Sequence, residues 1–184
     1  MALEWILIGV IVLVLLFLVL LYNGLIRSRN NVDNSWSQID VQLKKRSDLI
    51  PNLVETVKGY AKHEKEVFTQ VTQARANMLK AQTVGEKAKA SNMISDALKS
   101  IFAVAEAYPQ LRASENFKHL QEELSDIEGK IAYARQFYND SVLEYNNSTQ
   151  VFPNNVLAGS MGFTKRDFFE VAEADKKLVK VKFD

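Results

Sequence analysis

Residues 5–22 read WILIGVIVLVLLFLVLLY, eighteen residues without a charge. Counted from Leu3, roughly 20 residues at 1.5 Å each match a hydrocarbon core about 30 Å thick. The fifteen Leu, Ile, Val and Phe residues between Ile6 and Leu21 dominate the run. Each favours insertion by about 0.3–0.6 kcal/mol, so the sum reaches at least several kcal/mol. Trp5 and Tyr22 bracket the run, as aromatic side chains do at both membrane–water interfaces. They are the expected membrane-anchor residues. A cleaved signal peptide is the rival reading, but it needs a basic n-region and a small-residue cleavage site. Here Glu4 stands alone before the run, and Tyr22-Asn23-Gly24-Leu25-Ile26 offers no such site. A buried core helix is the third reading, and eighteen uncharged residues argue against it. The stretch therefore reads as a retained transmembrane helix, with 1–26 as anchor and 27–184 as a helical domain.

Flanking charge sets the expected orientation. Only Glu4 precedes the span, whereas Arg27, Arg29, Lys44, Lys45 and Arg46 follow it. The positive-inside rule then places the domain in the cytoplasm and the N-terminus outside. Over the whole chain 23 basic and 22 acidic residues nearly cancel, so no electrostatic pull toward nucleic acid is expected. The absence of cysteine excludes disulfides and thiolate metal sites.

Beyond the span, apolar residues fall at helical spacing. Ile39, Leu43, Arg46, Ile50, Leu53, Val57, Tyr60, Glu64, Val67, Val71, Ala74 and Met78 alternate steps of four and three. That is the seam of a helix packed along other helices, expected from Val32 to about Leu79. Pro51 costs about 3 kcal/mol in a helix interior. The stripe keeps its register through Pro51, which favours a kinked continuous helix over a new start capped by Ser47 or Asp48. Thr83-Val84-Gly85-Glu86 is a capping box opening a second helix, with Val84, Ala88, Ser91, Ile94, Leu98, Ile101 and Ala105 in its stripe. It should end before Pro109, since the residue ahead of a proline disfavours the α region. Ser114 caps a third helix, striped by Phe117, Leu120, Leu124, Ile127, Ile131, Ala134, Tyr138, Val142 and Tyr145, running to about Asn147. Asn146-Asn147-Ser148-Thr149 and Pro153-Asn154-Asn155 then mark a loop. A short fourth helix is expected over about Lys165–Asp175, and the alternating segment Leu178–Phe183 is left as an extended tail. Matching stripes joined by short turns predict an all-α fold: a transmembrane helix, then an elongated antiparallel four-helix bundle. The first helix is longer than its successors, so Val32 and Trp36 should lie uncovered unless a second subunit or lipid shields them. Self-association is expected on that ground.

Candidate chemistry is thin. His63-Glu64 begins a zinc-protease motif, but the second histidine that H-E-x-x-H requires is replaced by Val67. His119 is far off in sequence. There is no Gly-rich phosphate loop, and Gly59 is expected mid-helix as a close-packing point. Glu122, Glu123, Asp126 and Glu128 form an acidic patch, but di-metal helix sites need E-x-x-H partners; a solvated face is expected. No catalytic, cofactor or metal residue is proposed. Arg46 and Glu64 at seam positions either fix register and partner or reach to the bundle edge. Together with Trp36, Gln38 and Asp40, just past the membrane, they are the candidate partner or oligomer contacts.

The stretch from Arg29 through Val32-Asp33-Asn34-Ser35-Trp36-Ser37-Gln38-Ile39-Asp40-Val41-Gln42-Leu43-Lys44-Lys45-Arg46 resembles the bacterial LemA family. So do Asp48-Leu49-Ile50-Pro51-Asn52-Leu53-Val54, Ala107-Tyr108-Pro109, Phe117-Lys118-His119-Leu120-Gln121-Glu122-Glu123-Leu124 and Ile131-Ala132-Tyr133-Ala134-Arg135-Gln136-Phe137-Tyr138-Asn139. Serine at position 35 departs from the family's usual alanine. The resemblance covers nearly the whole chain after the anchor. It implies a single N-terminal span and a four-helix bundle, and does not imply an enzymatic activity. It suggests association with membrane proteases or envelope-stress systems. The leading expectation is a non-enzymatic, self-associating scaffold or adaptor at the bacterial cell membrane, with the bilayer, further copies and other envelope proteins as partners. A protein that remodels lipid and a membrane-tethered enzyme are the alternatives.

Overall fold

A computed structural model describes residues 2–170. Six helices follow one another: α1 Ala2–Lys58, α2 Lys65–Lys80, α3 Val84–Glu106, α4 Pro109–Ala113, α5 Glu115–Gln150 and α6 Asn154–Ser160. The chain divides into two compact units, one holding the chain up to Ser37 with Gln136–Asp167, the other Gln38–Arg135 with the chain from Phe168. α1 and α5 contribute to both.

In the first unit, α1 begins with the apolar run, none of it buried and long and apolar enough to cross a membrane. Burial starts where the run ends: Leu25, Val32 and Ser35 are enclosed. The Ser35 hydroxyl donates to the Val32 carbonyl at 2.8 Å, so the helix itself satisfies this buried polar group. The expectation that Val32 and Trp36 lie uncovered is corrected here. α5 runs to Gln150, past the predicted end, and its Tyr138 ring meets Trp36 at 5.5 Å. Asn146 and Thr149, turn-like in sequence, are instead buried helical residues. Their side chains find partners on the helix and on the segment that follows it. The expected loop at Pro153-Asn154-Asn155 gives way to α6 at its second residue. Gly162 takes φ +74°, the left-handed conformation that ends a helix and that glycine adopts freely. The Phe163 N–H then donates back to the Ala158 carbonyl at 3.0 Å.

Residues 163–170 have no helical structure, so the fourth helix predicted from Lys165 does not form over its first part. Residues 171–175 and the tail Leu178–Phe183 lie outside the described residues. The reason is competition for backbone groups: side chains of α5 take the carbonyls of Thr164, Arg166 and Asp167.

In the second unit the long predicted helix proves to be two. α1 continues through Pro51 but stops at Lys58. Tyr60 and Ala61 both donate to the Val57 carbonyl, and α2 starts at Lys65. Gly59 has the weakest helix propensity after proline, about 1 kcal/mol below alanine, and marks the break. α2 then returns along α1: Lys58 lies over the Phe68 ring at 5.5 Å, and Arg75 Nε donates to the Ser47 carbonyl at 3.0 Å. Both arms of this hairpin carry a four–three stripe, and the turn keeps its phase, which is why the sequence reads as one rod. α3 opens on the expected capping box, with both reciprocal bonds present. Backbone N–H groups of Thr83 and Gln82 donate to Glu86 and hold its carboxyl below the usual range. Pro109 sits at the first position of α4, where its missing N–H costs nothing. The stripes of α1, α2, α3 and α5 supply the core, with Ile39, Leu53, Val57, Val71, Ile94 and Ile101 fully enclosed.

Candidate functional site

Arg46 stands in the α1 stripe between Leu43 and Ile50 and is 0% exposed. A buried guanidinium must be neutralised and hydrogen-bonded to persist, and the second unit does both. Its Nη2 donates to the Ser91 hydroxyl at 2.6 Å and to the Ser91 carbonyl at 3.1 Å. Its Nη1 donates to the Ser95 hydroxyl at 3.1 Å and pairs with the Glu128 carboxylate. Nε has no partner. Burial pushes the Arg46 pKa below its ordinary value, and Glu128 opposes the shift. One side chain thus ties α1 to α3 and α5. The acidic patch is not purely a solvated face: Glu128 leaves it to neutralise Arg46, with its side chain still 51% exposed. Beside the pair, an open groove of about 300 Å³ lies between α3 and α5, walled by Leu98, Phe102 and Leu124 with Ser95, Gln121 and Glu128. Lys99 and Ser125 complete its lining, and the Glu128 carboxylate at its edge is engaged by Arg46. Sequence reading missed the partners of Arg46, although Ser91 in the α3 stripe was their visible sign.

The other sequence-derived residues fall in different settings. Trp5 and Tyr22 are exposed at the two ends of the apolar run. Trp36 is half-buried against Tyr138, and Gln38 is exposed. Asp40 pairs with Lys87 of α3. Glu64 lies beyond the end of α1, at the start of α2, and accepts a hydrogen bond from the Tyr108 hydroxyl at 3.3 Å. Arg46 and Glu64 therefore do not share one helix seam.

The first unit carries a second polar cluster. Residues 163–167 run as a strap held by α1 and α5. Asn146 grips the Arg166 backbone twice, its Oδ1 accepting from the N–H at 2.9 Å and its Nδ2 donating to the carbonyl at 3.0 Å. The Tyr145 hydroxyl donates to the Thr164 carbonyl at 3.0 Å, and the Tyr138 hydroxyl to the Asp167 carbonyl at 2.8 Å. From α1, Asp33 pairs with the Arg166 guanidinium at 3.0 Å. Arg29 lies over the Phe163 ring at 5.5 Å, and Tyr22 meets that ring edge-on at 6.0 Å. No short motif announces this collar, because the hydrogen bonds from α5 go to backbone atoms and its side-chain pairs join residues far apart in sequence.

Burial pushes the Tyr138 phenol up to about 12, with Arg166 opposing and Asp167 and Asp33 assisting. The unfolded phenol loses its proton near 10, so above that pH the unfolded chain binds fewer protons than the folded one. Stability should be fully present below pH about 10 and fall as pH rises toward about 12. Denaturant midpoints measured at pH 9 and 11 should converge in Tyr138→Phe relative to the parent. An unchanged slope would show that Tyr138 does not set it.

Among the described residues no group of three His, Asp or Glu side chains is placed to hold a metal ion. His119 Nδ1 lies 3.9 Å from the Glu123 carboxylate, one turn along α5.

The family model described as the LemA family matches residues 35–183. The chain is 24% identical over 179 residues to magnetosome protein MamQ 1 of Paramagnetospirillum magneticum, covering 83% of this chain and 66% of that protein. It is 24% identical over 178 residues to magnetosome protein MamQ of Magnetospirillum gryphiswaldense, covering 83% and 65%. It is 26% identical over 159 residues to protein LemA of Metamycoplasma hominis, covering 84% and 71%. The chain thus spans just under two thirds of the length of the MamQ relatives, 66% and 65%.

Proposed function

The chain belongs to the LemA family, and from that premise we propose that it is a non-enzymatic, single-pass membrane scaffold. The carrying observation is α1: its exposed apolar run passes without a break into the collar of Arg29, Asp33 and Trp36. A helix that leaves the lipid with no intervening loop and is gripped at once by its own chain suits a fixed mount better than a flexible tether. The helical segments beyond it form an antiparallel four-helix bundle on the cytoplasmic side of the bacterial cell membrane, which the basic residues after the span favour. Partners are the bilayer, further copies of the chain and other envelope proteins. The sequence-level ground for self-association, an uncovered Val32 and Trp36, is removed by α5. The ground that supports it now is Val41 and Tyr133 of the second unit, large apolar side chains at 50% and 75% exposure.

The test places a photo-crosslinking residue at Val41 of the full-length chain in bacterial cells. The chain should sediment with membranes, require detergent for release, and give adducts beginning at twice its mass. External protease should reach the domain only after the cell membrane is opened. A chain that stays dissolved without detergent overturns the anchor, and adducts with no second copy overturn self-association.

A further inference from the structure

We propose that the segment Val151–Met161, at the end of the first unit, is a second membrane contact, seated in the bilayer interface beside the transmembrane helix. It rests on reading residues 5–22 as a span. Two ring contacts set the level. Trp36 meets Tyr138, and Tyr22 meets Phe163, so α5 climbs toward the span antiparallel to α1. From Trp36 back to Tyr22 is roughly 21 Å of helix, and from Tyr138 to the end of α5 at Gln150 roughly 18 Å, at 1.5 Å per residue. The chain that leaves α5 therefore emerges at about the height of Tyr22, the residue at the edge of the apolar run.

What emerges there is uncharged, and several of its large apolar side chains face outward. Phe152 is 82% exposed and Val156 66%, with Val151 and Met161 each more than half exposed. α6 turns Ala158 inward, so it lies with one side on the protein and Val156 on the other. No charged residue occurs between Glu144 and Lys165. An uncharged segment with a projecting phenylalanine beside an interfacial tyrosine fits the headgroup–acyl boundary. Water would leave these side chains unburied. Because the attraction is apolar, it needs no anionic lipid.

The absence of native cysteine permits single-cysteine labelling of the full-length chain at four positions. These are Val12→Cys in the span, Phe152→Cys and Val156→Cys in the segment, and Gln136→Cys at the far end of this unit's part of α5. Each carries an environment-sensitive fluorophore and is reconstituted in phosphatidylcholine vesicles with quencher-bearing lipids. The expected result is blue-shifted emission at 152 and 156, lost to quenchers placed shallow in the acyl chain. Emission at 12 should be lost to deep quenchers, and emission at 136 to neither. Emission at 152 and 156 that matches 136, while 12 is quenched, overturns the proposal alone. If 12 is not quenched, the span reading fails and takes the proposal with it. A blue shift at 152 that lipid quenchers do not touch, and that vanishes when protein is diluted in lipid, assigns the surface to a second copy and likewise overturns it.

Discussion

Glu128→Leu should destabilise the folded chain by roughly 3 kcal/mol, more than Arg46→Met, although Arg46 is the more deeply buried partner. The asymmetry follows from what each change leaves behind. Without Glu128 the guanidinium remains enclosed, held by neutral groups of Ser91 and Ser95, and the leucine offers it no countercharge. Removing one member of a buried pair costs about 3–5 kcal/mol, and the half-exposed position of Glu128 points to the lower end. Without Arg46 the carboxylate is hydrated from its exposed side. Methionine refills the stem volume, and the Ser95 hydroxyl remains beside the Ser91 carbonyl at 3.3 Å. That change should cost about 1–2 kcal/mol, mainly in lost hydrogen bonds. The double variant Arg46→Met with Glu128→Leu should then be more stable than Glu128→Leu alone, since the orphaned charge is gone. Denaturant unfolding of the full-length chain in detergent, followed by helix signal, reads all three. If the double variant is the least stable, packing rather than charge neutralisation is what Arg46 contributes.

This pair also shows where the sequence was legible and where it was not. Arg46 and Ser91 each stand in an otherwise apolar stripe, and both prove buried. Glu128 falls outside its helix's stripe, so nothing local distinguishes it from Glu122 or Asp126. The apolar run, the capping box at Thr83 and the stop before Pro109 depend on neighbours within a turn or two, and all were readable. The break after Lys58 was not, because both arms of the α1–α2 hairpin repeat the same spacing and only Gly59 marks the turn. The strap was least legible. Thr164-Lys165-Arg166-Asp167 has the local pattern of a helix start, but α5 offers its backbone better partners, a tertiary override of local propensity.

Asn146→Leu should release that strap, and trypsin cleavage after Lys165 and Arg166 should accelerate by about thirtyfold. The Asn146 amide makes two bonds to the Arg166 backbone, at 2.9 and 3.0 Å, in a setting where Asn146 is only 7% exposed. Each is worth about 0.5–1.5 kcal/mol. Losing both shifts the docked population by about 2 kcal/mol, where about 1.4 kcal/mol is tenfold. Cleavage follows that population when undocking is faster than proteolysis. Tyr145→Phe removes one bond, to the Thr164 carbonyl, and should accelerate cleavage about fivefold. Asp33→Asn breaks an ion pair whose side chains are 56% and 42% exposed. Exposed pairs contribute about 0–1 kcal/mol, so cleavage should change little. Limited proteolysis with mass spectrometry of the products ranks the three variants directly. An Asp33→Asn variant cut as fast as Asn146→Leu would move the hold on the strap from the buried amide to the surface charge. Unchanged cleavage in Asn146→Leu would show that the amide does not hold it at all.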